Sequence, residues 1–276
     1  MNDSVASLVG AQFADRRVRA SVILGTGTNC SYVEDVRNIK TLPATYRKHG
    51  DRMIVNTEWG DCALPAETLG VALEEDAEVD RESANPGHGL FEKLISGLYV
   101  GDVARRIIVR IASNTGLLGG RSLTLDRLEG FDGAAVSRAY HDDSDDLGDV
   151  GALFAARGTT TTLEERRVVK AVCSMVAVRS ARLCAAAMAA IATTADGGDG
   201  GDGGDGGSPP SVVISVDGSM FTKFDGYREL VSAAIDELRG APEDHATPTP
   251  PIEIILADGS SVSGAAICAA VFTMSP

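Results

Sequence analysis

The pattern of hydrophobic and polar positions predicts β-strands in two groups. The first group is 18–24, 31–34 and 53–57, where short apolar runs are separated by turn residues. The second group comprises the β-branched runs in "SVVISVDGS" (211–219) and "IEIILADGSSVSGAAICAAV" (252–271). Each strand of the second group is followed by a glycine turn and then by a helical stretch. Two successive strand–turn–helix units predict an α/β layered domain.

Apolar residues at helical spacing predict two long helices. Phe91, Leu94, Ile95 and Leu98 follow the i, i+3, i+4, i+7 pattern, which predicts a helix over about 89–113. The turn signal "NPG" at 85–87 precedes this helix. An Ala-rich stretch predicts the second helix over about 162–194, and a shorter helix is predicted over 227–239.

Three polar segments carry no periodic pattern. The acid-rich segment 74–82 is predicted to be a loop, and 114–162, which contains "HDDSDDLGD" (141–149), is predicted to be irregular. Residues 196–210, "DGGDGGDGGDGGSPP", repeat a unit that has nothing to bury, so we predict a disordered surface insertion. A calcium-binding repeat is the alternative, but this unit lacks the apolar position that such repeats use.

Composition and charge are those of an acidic globular protein. The chain has 276 residues, 44% of them hydrophobic, and a formal net charge of −14. Its 25 Lys and Arg residues are scattered, which excludes a nucleic-acid surface because phosphate neutralisation needs clustered cations. The apolar stretch 168–195 contains Lys170, Arg179 and Arg182, so we predict a buried amphipathic helix rather than a membrane span.

The cysteines and histidines favour no metal centre. The five cysteines (Cys30, Cys62, Cys173, Cys184 and Cys268) are far apart, and no C-x-x-C occurs. We therefore expect reduced thiols in a cytoplasmic protein, with neither a zinc site nor a disulfide framework. The four histidines lack metal-ligand spacing, and the first residues lack the pattern of a signal peptide.

Three glycine turns that follow apolar strands are candidates for phosphate binding. They are "LGTGTN" (24–29), "VDGS" (216–219) and "ADGSSVSG" (257–264). Ligands of open α/β folds collect at the carboxyl ends of strands, and a helix N-terminus favours phosphate. None of the turns is a Walker loop or a complete G-x-G-x-x-G, and a tight turn alone would account for each one. Together, with hydroxyl groups beside each, they favour nucleotide binding.

A set of carboxamides and carboxylates forms a candidate sugar site: Asn2, Asp3, Asn29, Glu58 and Glu92. Such groups accept or donate hydrogen bonds in fixed directions, as the recognition of sugar hydroxyls requires. Each also has an ordinary interpretation, for example Glu58 as a surface acid and Glu92 as a first-turn acid favoured by the helix dipole. The residues alone leave this choice open.

Several sequence blocks resemble the eukaryotic hexokinase family, and they occur in the family's order. They are "NDSVASL" (2–8), "ILGTGTNCSYVE" (23–34), "MIVNTEWG" (53–60), "DAEVDRESANPGHGLFEKLISGLYVGDVAR" (76–105) and "VDGSMFTKF" (216–224). The resemblance covers nearly the whole chain except 114–160 and the Asp/Gly segment. It is most specific at "GTGTN", "NTEWG" and "NPG…FEK…SG.Y.G".

The resemblance implies an α/β, ribonuclease-H-like large lobe of the hexokinase and actin superfamily, with a mixed sheet and packed helices over 1–276. It implies transfer of the γ-phosphoryl group of ATP, with Mg²⁺, to the 6-hydroxyl of a glucose-like hexose. Asp3 matches the catalytic aspartate that takes the proton from that hydroxyl. The matches to hexose-binding positions are Asn2, Asn29, Glu58 and Glu92. The matches to ATP-binding positions are Thr26, Gly27, Gly218, Ser219, Gly259 and Ser260.

The chain departs from the family pattern at several positions. Gly89 stands where the family has a Gln or Glu that touches the sugar, so we expect a lower affinity, with His88 as a candidate substitute. The "DGSSVSGAA" turn is one residue longer than the family's, which leaves its register open. Ser4 and Ala6 replace Thr and Gly beside Asp3, and we expect both to be tolerated.

The largest departure concerns what precedes the aspartate. In the family, the first phosphate loop, a second sugar strap and the small domain come before it, whereas here it is residue 3. We therefore expect a truncated chain with little phosphotransfer activity of its own. We also expect Mg²⁺ to be held mainly through ATP and the small-domain lobe, which this sequence does not include. The alternative is a non-catalytic, regulatory fragment that binds sugar or nucleotide. An actin-like or chaperone-like ATPase ranks last because it leaves Asn29, Glu58 and Glu92 unexplained.

Overall fold

The predicted strands are present in the structure. The computed structural model describes residues 1–43, 45–46, 52–62, 70–124, 128–195, 211–240, 250–257 and 259–274. Its strands are β1 (Val18–Leu24), β2 (Thr28–Asp35), β3 (Arg52–Asn56), β4 (Val212–Asp217) and β5 (Ile252–Leu256). They agree with the predicted runs to within a few residues, so this part of the pattern is confirmed. The Asp/Gly segment 196–210 lies outside the described residues.

The strands form a mixed sheet with the order β3-β2-β1-β4-β5. β1, β2 and β3 pair antiparallel, with Leu24 opposite Thr28 at the β1–β2 turn. β4 and β5 add in parallel to β1, so the carboxyl ends of these three strands lie at one edge of the sheet. The three glycine turns follow β1, β4 and β5 and therefore share that edge, as expected for an α/β ligand site.

Helices surround the sheet. In the described residues they are α1 (Asp3–Ala14), α2 (Glu74–Glu82), α3 (Leu90–Ile95), α4 (Gly97–Thr115), α5 (Gly133–His141), α6 (Gly148–Ala155), α7 (Leu163–Ala195), α8 (Ser219–Thr222), α9 (Tyr227–Gly240) and α10 (Ser260–Met274). Short 3-10 helices cover Trp59–Asp61 and Leu117–Ser122. The helices predicted over 162–194 and 227–239 are confirmed as α7 and α9.

The loop predicted at 74–82 is wrong, because this segment is the helix α2. Its acidic side chains are not simply solvated. Asp76 pairs with Arg179 of α7 at 2.6 Å, and Glu82 pairs with the buried Arg106 of α4 at 2.7 Å. The helix is therefore stabilised by partners that are distant in sequence and that a local pattern does not reveal.

Two further predictions of secondary structure need correction. The segment 114–162 is not irregular throughout, because it contains α5 and α6, and Asp132 caps α5 with its side chain. The helix predicted over 89–113 is divided at Ser96 into α3 and α4. Ser96 Oγ donates to the Thr26 carbonyl oxygen at 2.9 Å, and Gly97 N donates to the Gly25 carbonyl oxygen at 2.8 Å. Contacts with the glycine loop thus replace intrahelical bonds at the break.

Helices cover both faces of the sheet. On one face α7 lies in the main core and contacts α4, α5 and α9, with Val22 and Leu24 of β1 buried in this core. On the other face α1 packs on β1, where Leu8 forms a smaller core with Val18 and Val213. Burial on both faces is typical of the central strand of an α/β sheet.

The helix α7 is long and apolar enough to cross a membrane by length and composition alone. Half of its most apolar 18-residue window is buried inside the protein. Arg179 and Arg182 of this helix pair with Asp76 of α2 and Glu237 of α9. The described contacts are those of a core helix, in agreement with the interpretation of the sequence.

The helix α10 packs along α1 at a very short distance. A Cβ atom built on Gly264 would lie 1.8 Å from the carbonyl oxygen of Ala6, so the contact requires a glycine. Buried hydroxyl groups cross the same region: Ser21 Oγ donates to Ser7 Oγ at 2.8 Å, and Ser7 Oγ lies 2.7 Å from Ser260 Oγ. The position of α1 therefore depends on α10.

Candidate active site

Three asparagines and a glutamate form a hydrogen-bonded cluster beside the end of β3. Asn2 Nδ2 and Asn56 Nδ2 both donate to Glu58 Oε1, at 3.0 and 2.6 Å. Asn29 Nδ2 donates to Asn56 Oδ1 at 2.9 Å and lies 3.5 Å from Asn2 Oδ1. This amide–acid cluster (Asn2, Asn29, Asn56 and Glu58) brings together three predicted hexose-binding residues.

The backbone at Glu58 directs its carboxylate into the cluster. Glu58 has a left-handed conformation (φ 49°, ψ 38°), which costs a residue other than glycine about 1–3 kcal/mol. On one side, Thr57 holds the turn, because its N and Oγ1 donate to the Cys30 carbonyl oxygen at 3.0 and 2.8 Å. On the other side, the indole N–H of the buried Trp59 donates to Thr28 Oγ1 at 2.9 Å. These bonds maintain a conformation that is unfavourable by itself.

Glu92 contacts the glycine loop. It is in the first turn of α3, and its Oε2 accepts a hydrogen bond from Thr28 N at 2.9 Å. Gly27 permits this approach, since a Cβ atom there would lie 2.4 Å from Glu92 Oε2. A Cβ atom on Gly60 would lie 3.5 Å from the same oxygen. Glu92 and Asn2 therefore contact the segment Thr28–Asn29 directly, and Glu58 is linked to Asn29 through Asn56.

Asp3 begins α1 directly after Asn2 and is exposed. Asn2 caps the helix by accepting a hydrogen bond from Ser4 N at 2.9 Å, and Asp3 Oδ1 accepts from the same N–H at 2.8 Å. Asp3 also lines a groove of about 780 Å³ between α1 and α10. Among the described contacts, none joins its carboxylate to another predicted site residue. Its position beside the cluster is set by the adjacent Asn2.

A cleft of about 330 Å³ lies at the carboxyl edge of the sheet. Thr26 and Ser219, both predicted ATP-binding residues, line it. Gly25 brings the turns after β1 and β4 together, because a Cβ atom on it would lie 3.4 Å from Ser219 N and 3.7 Å from Gly218 Cα. The other lining residues are Gly97, Leu98, Asp132, Gly133, Ala134, Ser137, Met220, Lys223 and Phe224.

The turn after β5 does not reach this cleft in the described structure. Neither Gly259 nor Ser260 is among the residues that line it. Ser260 is buried, and its hydroxyl lies 2.7 Å from that of Ser7 in α1. Gly27 lies between the two regions, beside Glu92. The predicted ATP-binding residues are thus divided between the cleft, the Glu92 contact and the α1–α10 contact.

A buried lysine holds the turn that leads to Glu92. Lys93 is only 3% exposed, and its Nζ donates to Asp80 Oδ1 at 2.7 Å, to Asn85 O at 2.9 Å and to His88 O at 2.7 Å. These acceptors use the three donors of the ammonium group. The hydrogen bond from Lys93 is the main cause that lowers the pKa of Asp80. The turn 85–88 is therefore tied to α2 and α3.

Replacement of Lys93 by Met is expected to lower the free energy of unfolding at pH 7 by about 2–3 kcal/mol, because it leaves acceptors unpaired. The Asp80 pKa is lowered in the folded state, so the stability from this pair is present at neutral pH and is lost as the pH falls through that pKa. Urea unfolding measured between pH 7 and pH 2 should therefore show a smaller difference between variant and parent in acid, because the contribution of Asp80 is lost while the carbonyl oxygens of Asn85 and His88 stay unpaired in the variant. The matched control is Lys170→Met, which breaks a pair with the exposed Asp143. A cost at Lys170 equal to that at Lys93 would contradict the importance of burial.

The rim next to Gly89 offers two side chains that sequence reasoning did not place there together. Gly89 N donates to Asp61 Oδ1 at 2.6 Å, and His88 Nδ1 lies 3.6 Å from the same oxygen. The Gly89 N–H is the main cause that lowers the pKa of Asp61. Asp61 lies three residues after Glu58, just beyond the "MIVNTEWG" block, and only the fold brings it to the 85–89 turn.

Asn56 is another functional candidate that sequence reasoning missed. It lies within "MIVNTEWG", where the available signal was a carboxamide at the end of an apolar strand, two residues before Glu58. Asp132 and Lys223 of the cleft also went unnoticed. Asp132 lies in a segment that was interpreted as irregular, and Lys223 follows the turn at 216–219 without a pattern of its own.

The described residues contain no group of three or more His, Cys, Asp and Glu side chains that could hold a metal ion. The five cysteines are free thiols. Burial raises the pKa of Cys173 and Cys184 to about 12, so these two thiols stay protonated at neutral pH.

Comparisons with known proteins identify the family of this chain. A family model described as Hexokinase matches residues 19–271. Hexokinase-1 of Oryza sativa subsp. japonica is 37% identical over 274 residues, 98% of this chain and 52% of the rice protein. The protein named "Hexokinase-2, chloroplastic" of Nicotiana tabacum is 36% identical over 245 residues, 87% of this chain and 47% of that protein. The solved structure of a Schistosoma mansoni hexokinase complexed with glucose matches with a TM-score of 0.80 and 26% identity, over 98% of this chain and 57% of that chain.

The mixed sheet, with helices on both faces and glycine turns at its carboxyl edge, defines the hexokinase and actin type of fold. The expected fold class is confirmed. The chain belongs to the hexokinase family. It spans about half the length of the curated relatives that it matches.

Proposed function

We propose that this chain binds a glucose-like hexose and takes part in ATP-dependent phosphorylation of its 6-hydroxyl. The observation that carries the proposal is the amide–acid cluster, which lies with Glu92 around Thr28–Asn29, two residues from the cleft that Thr26 lines. A sugar and a phosphate donor bound at these two places would be neighbours. Proximity of this kind is the main requirement of phosphoryl transfer.

Several polar atoms of the amide–acid cluster and of Glu92 are available to sugar hydroxyls. Glu58 uses Oε1 for its two amide donors, and its Oε2 has no partner among the described residues. Glu92 uses Oε2 for Thr28 N, and its Oε1 likewise has no partner in the described part of the chain. One N–H of Asn29 is held only by the 3.5 Å contact with Asn2. These two carboxylate oxygens and one amide hydrogen supply directional contacts for a polyol.

Asp3 is the proposed general base. Its carboxylate would take the proton of the 6-hydroxyl while the oxygen forms a bond to the γ-phosphorus and the bond from phosphorus to the ADP oxygen breaks. One carboxylate oxygen is bonded to Ser4 N, and the exposed side chain leaves the other free to meet substrate. A base of this kind has to lie about 2.6–3.2 Å from the proton-bearing oxygen in the complex.

The phosphate donor is proposed to bind in the 330 Å³ cleft. The Thr26 and Ser219 hydroxyls, backbone N–H groups at the start of α5 and the Lys223 ammonium line this cleft and suit phosphate oxygens. Mg²⁺ supplies charge neutralisation between the phosphates when ATP is bound. The Asp132 carboxylate in the same lining is the described group best suited to face that ion, directly or through water.

A second candidate function is binding without transfer, in which the chain acts as a regulatory sugar- or nucleotide-binding unit. The observation that favours it is that the amide–acid cluster is assembled entirely from residues of this chain. Both candidates use the same sugar cluster. Only turnover separates them.

The compartment is proposed to be the cytoplasm, on the basis of the free thiols. The tobacco relative is named as chloroplastic. A thiol-reducing plastid interior would suit the same cysteines, so fractionation of cells that express the protein is the appropriate measurement.

Glucose binding is expected to change the fluorescence of Trp59 saturably, because this is the chain's single tryptophan and it lies between Glu58 and the Phe91–Glu92 pair. We expect Glu58→Gln and Glu92→Gln each to raise the glucose dissociation constant at least tenfold, since each removes a charge-assisted acceptor. Glu129→Gln, an exposed acid away from the site, is the control. L-glucose is the control ligand. An equal response to both sugars would argue against a hexose site.

Phosphotransfer is tested on the chain alone and on the chain joined to the remaining half of the rice relative. Formation of glucose 6-phosphate in the joined protein, with saturable dependence on glucose and ATP, would support the kinase proposal. Sugar binding without turnover in both proteins would favour the regulatory function instead.

A further inference from the structure

Asn56 occupies the centre of the amide–acid cluster, and the resemblance to the family assigns it no role. We propose that Asn56 is a positioning residue, whose carboxamide sets the orientation of both Asn29 and Glu58 toward the sugar. The effect of Asn56 on sugar binding rests on the proposed function. Its effect on the orientation of Asn29 and Glu58 does not, because it involves only residues of the chain.

The hydrogen bonds of Asn56 connect two proposed sugar-binding residues, Asn29 and Glu58, which do not bond to each other in the described structure. Its Nδ2 donates to Glu58 Oε1 at 2.6 Å, and its Oδ1 accepts from Asn29 Nδ2 at 2.9 Å. Ser4 Oγ reaches the same Oδ1 at 3.4 Å. A single planar group thus fixes an acid on one side and an amide on the other.

Only a carboxamide of this length performs both tasks. The group must donate to the Glu58 carboxylate, which accepts only, and must accept from the Asn29 amide. A carboxylate at this position would repel Glu58, and an apolar side chain would leave both neighbours unpaired. Because Glu58 lies on a left-handed backbone, its side chain depends on such bonds for a single orientation.

Asn56 is itself held by regular structure. It is the last residue of β3 and pairs with Ser31 of β2 in the antiparallel ladder. The next residue, Thr57, donates twice to the Cys30 carbonyl oxygen. A side chain on a paired strand end transmits a fixed orientation better than one on a free loop.

The orientation has a direct consequence for ligand contacts. With Oε1 occupied by Asn56 and Asn2, Glu58 keeps Oε2 without a partner among the described residues. Asn29 Oδ1 accepts from Cys30 N at 2.7 Å, and one of its N–H bonds is directed to Asn56. The remaining N–H has only the 3.5 Å contact with Asn2 Oδ1, so it is the one that a sugar oxygen can take over. Asn56 therefore selects which atom of each neighbour meets the sugar.

The first test compares glucose binding, followed by Trp59 fluorescence, in the parent chain, Asn56→Ala and Asn56→Asp. We expect the dissociation constant to rise about tenfold to a hundredfold in both variants, through loss of bonds to a charged group. The matched control is Asn38→Asp, because Asn38 Nδ2 also donates to a glutamate, Glu34 Oε1 at 2.9 Å, away from the site. Unchanged affinity in both Asn56 variants would overturn the proposal.

A pH profile separates positioning from general destabilisation. In Asn56→Asp the introduced carboxyl group lies against Glu58, and two such acids share a proton as the pH falls. The shared proton again supplies a hydrogen-bond donor between residue 56 and Glu58. The glucose dissociation constant of the variant, divided by that of the parent, should therefore fall between pH 7.5 and pH 5. Titration of Asp3 and Glu92 affects both proteins alike and does not change this ratio. No recovery in Asn56→Asp, together with full affinity in Asn56→Ala, would contradict the donor role.

A sugar-free measurement keeps this inference distinct from the proposed function. In the NMR spectrum of Asn56→Ala, the Asn29 side-chain amide should shift and exchange faster with water, since it loses its acceptor at 2.9 Å. The amide of Asn38 serves as the internal control. If the parent chain shows no saturable response to glucose, the proposed function fails, and the Asn29 amide still decides the positioning role. An unshifted Asn29 amide overturns it.

Discussion

Asp3→Asn is expected to lower the rate of glucose phosphorylation about a thousandfold, while the glucose dissociation constant stays nearly unchanged. The variant keeps the size of the side chain and its hydrogen bond with Ser4 N, but it removes the group that accepts the proton. The loss should therefore appear in kcat rather than in binding. The measurement is the formation of glucose 6-phosphate by the chain joined to the remaining half of the rice relative.

The matched control for Asp3→Asn is Asp149→Asn. Asp149 also lies in the first turn of a helix and is exposed, but it pairs with Arg138 outside the proposed site. We expect its rate to equal that of the parent. A rate for Asp3→Asn within threefold of the parent would remove Asp3 from the role of base, whatever the effect on binding.

Gly264→Leu is expected to lower the free energy of unfolding by about 4 kcal/mol. The Cβ atom alone would lie 1.8 Å from the Ala6 carbonyl oxygen and 2.8 Å from Gly10 N. A change of side-chain rotamer cannot relieve this clash, because the position of Cβ is fixed by the backbone. α10 therefore has to separate from α1, which breaks the buried hydroxyl contact between Ser7 and Ser260. Urea-induced unfolding followed by circular dichroism measures the change.

The control for this prediction is Gly240→Leu. Gly240 is the last residue of α9, and a Cβ atom built on it meets nothing within 4 Å. Leucine has a higher helix propensity than glycine, so this variant should be neutral or slightly more stable. Equal destabilisation at the two positions would show that the short approach of α10 to α1 carries no special weight.

The sequence predicted those elements whose burial shows in the local pattern. The strands and the helices α7 and α9 have apolar positions at a regular period, so their existence follows from residues within one window. α1 was not predicted, because apart from Leu8 its buried face consists of small residues such as Ser4, Ala6 and Gly10. That face is suited to the close approach of α10 at Gly264, and the period of hydrophobic residues does not report such a contact.

α2 shows a different limit. Its segment is dominated by acids, and Val79 is its only buried apolar residue. The stabilising partners of Asp76 and Glu82 are arginines of α7 and α4. Since these partners lie more than twenty positions away in the sequence, no local propensity could indicate a helix there.

For the candidate site, the role of each single residue was ambiguous from the sequence. The family resemblance grouped these residues as one predicted hexose-binding set. In the structure Asn2, Asn29 and Glu58 belong to one hydrogen-bonded cluster, and Glu92 accepts from Thr28 N beside Asn29. Their role in sugar binding stays a prediction. The role of Asn56 could not be found in the same way, because it depends on pairing across two strands. Gly259 and Ser260 matched the motif by type, yet in the described structure their turn serves a helix contact.

The glycine loop 25–28 is attached to the α3–α4 junction at both ends, through Glu92 on the sugar side and through Ser96 and Gly97 on the phosphate side. The segment 92–97 therefore sets the spacing between the proposed sugar and the proposed phosphate donor. A shift of this segment that changed the sugar preference would also misalign the phosphate donor. Divergence of sugar choice among relatives should consequently be concentrated at the rim, around Asp61 and His88, where side chains can change while that spacing is preserved.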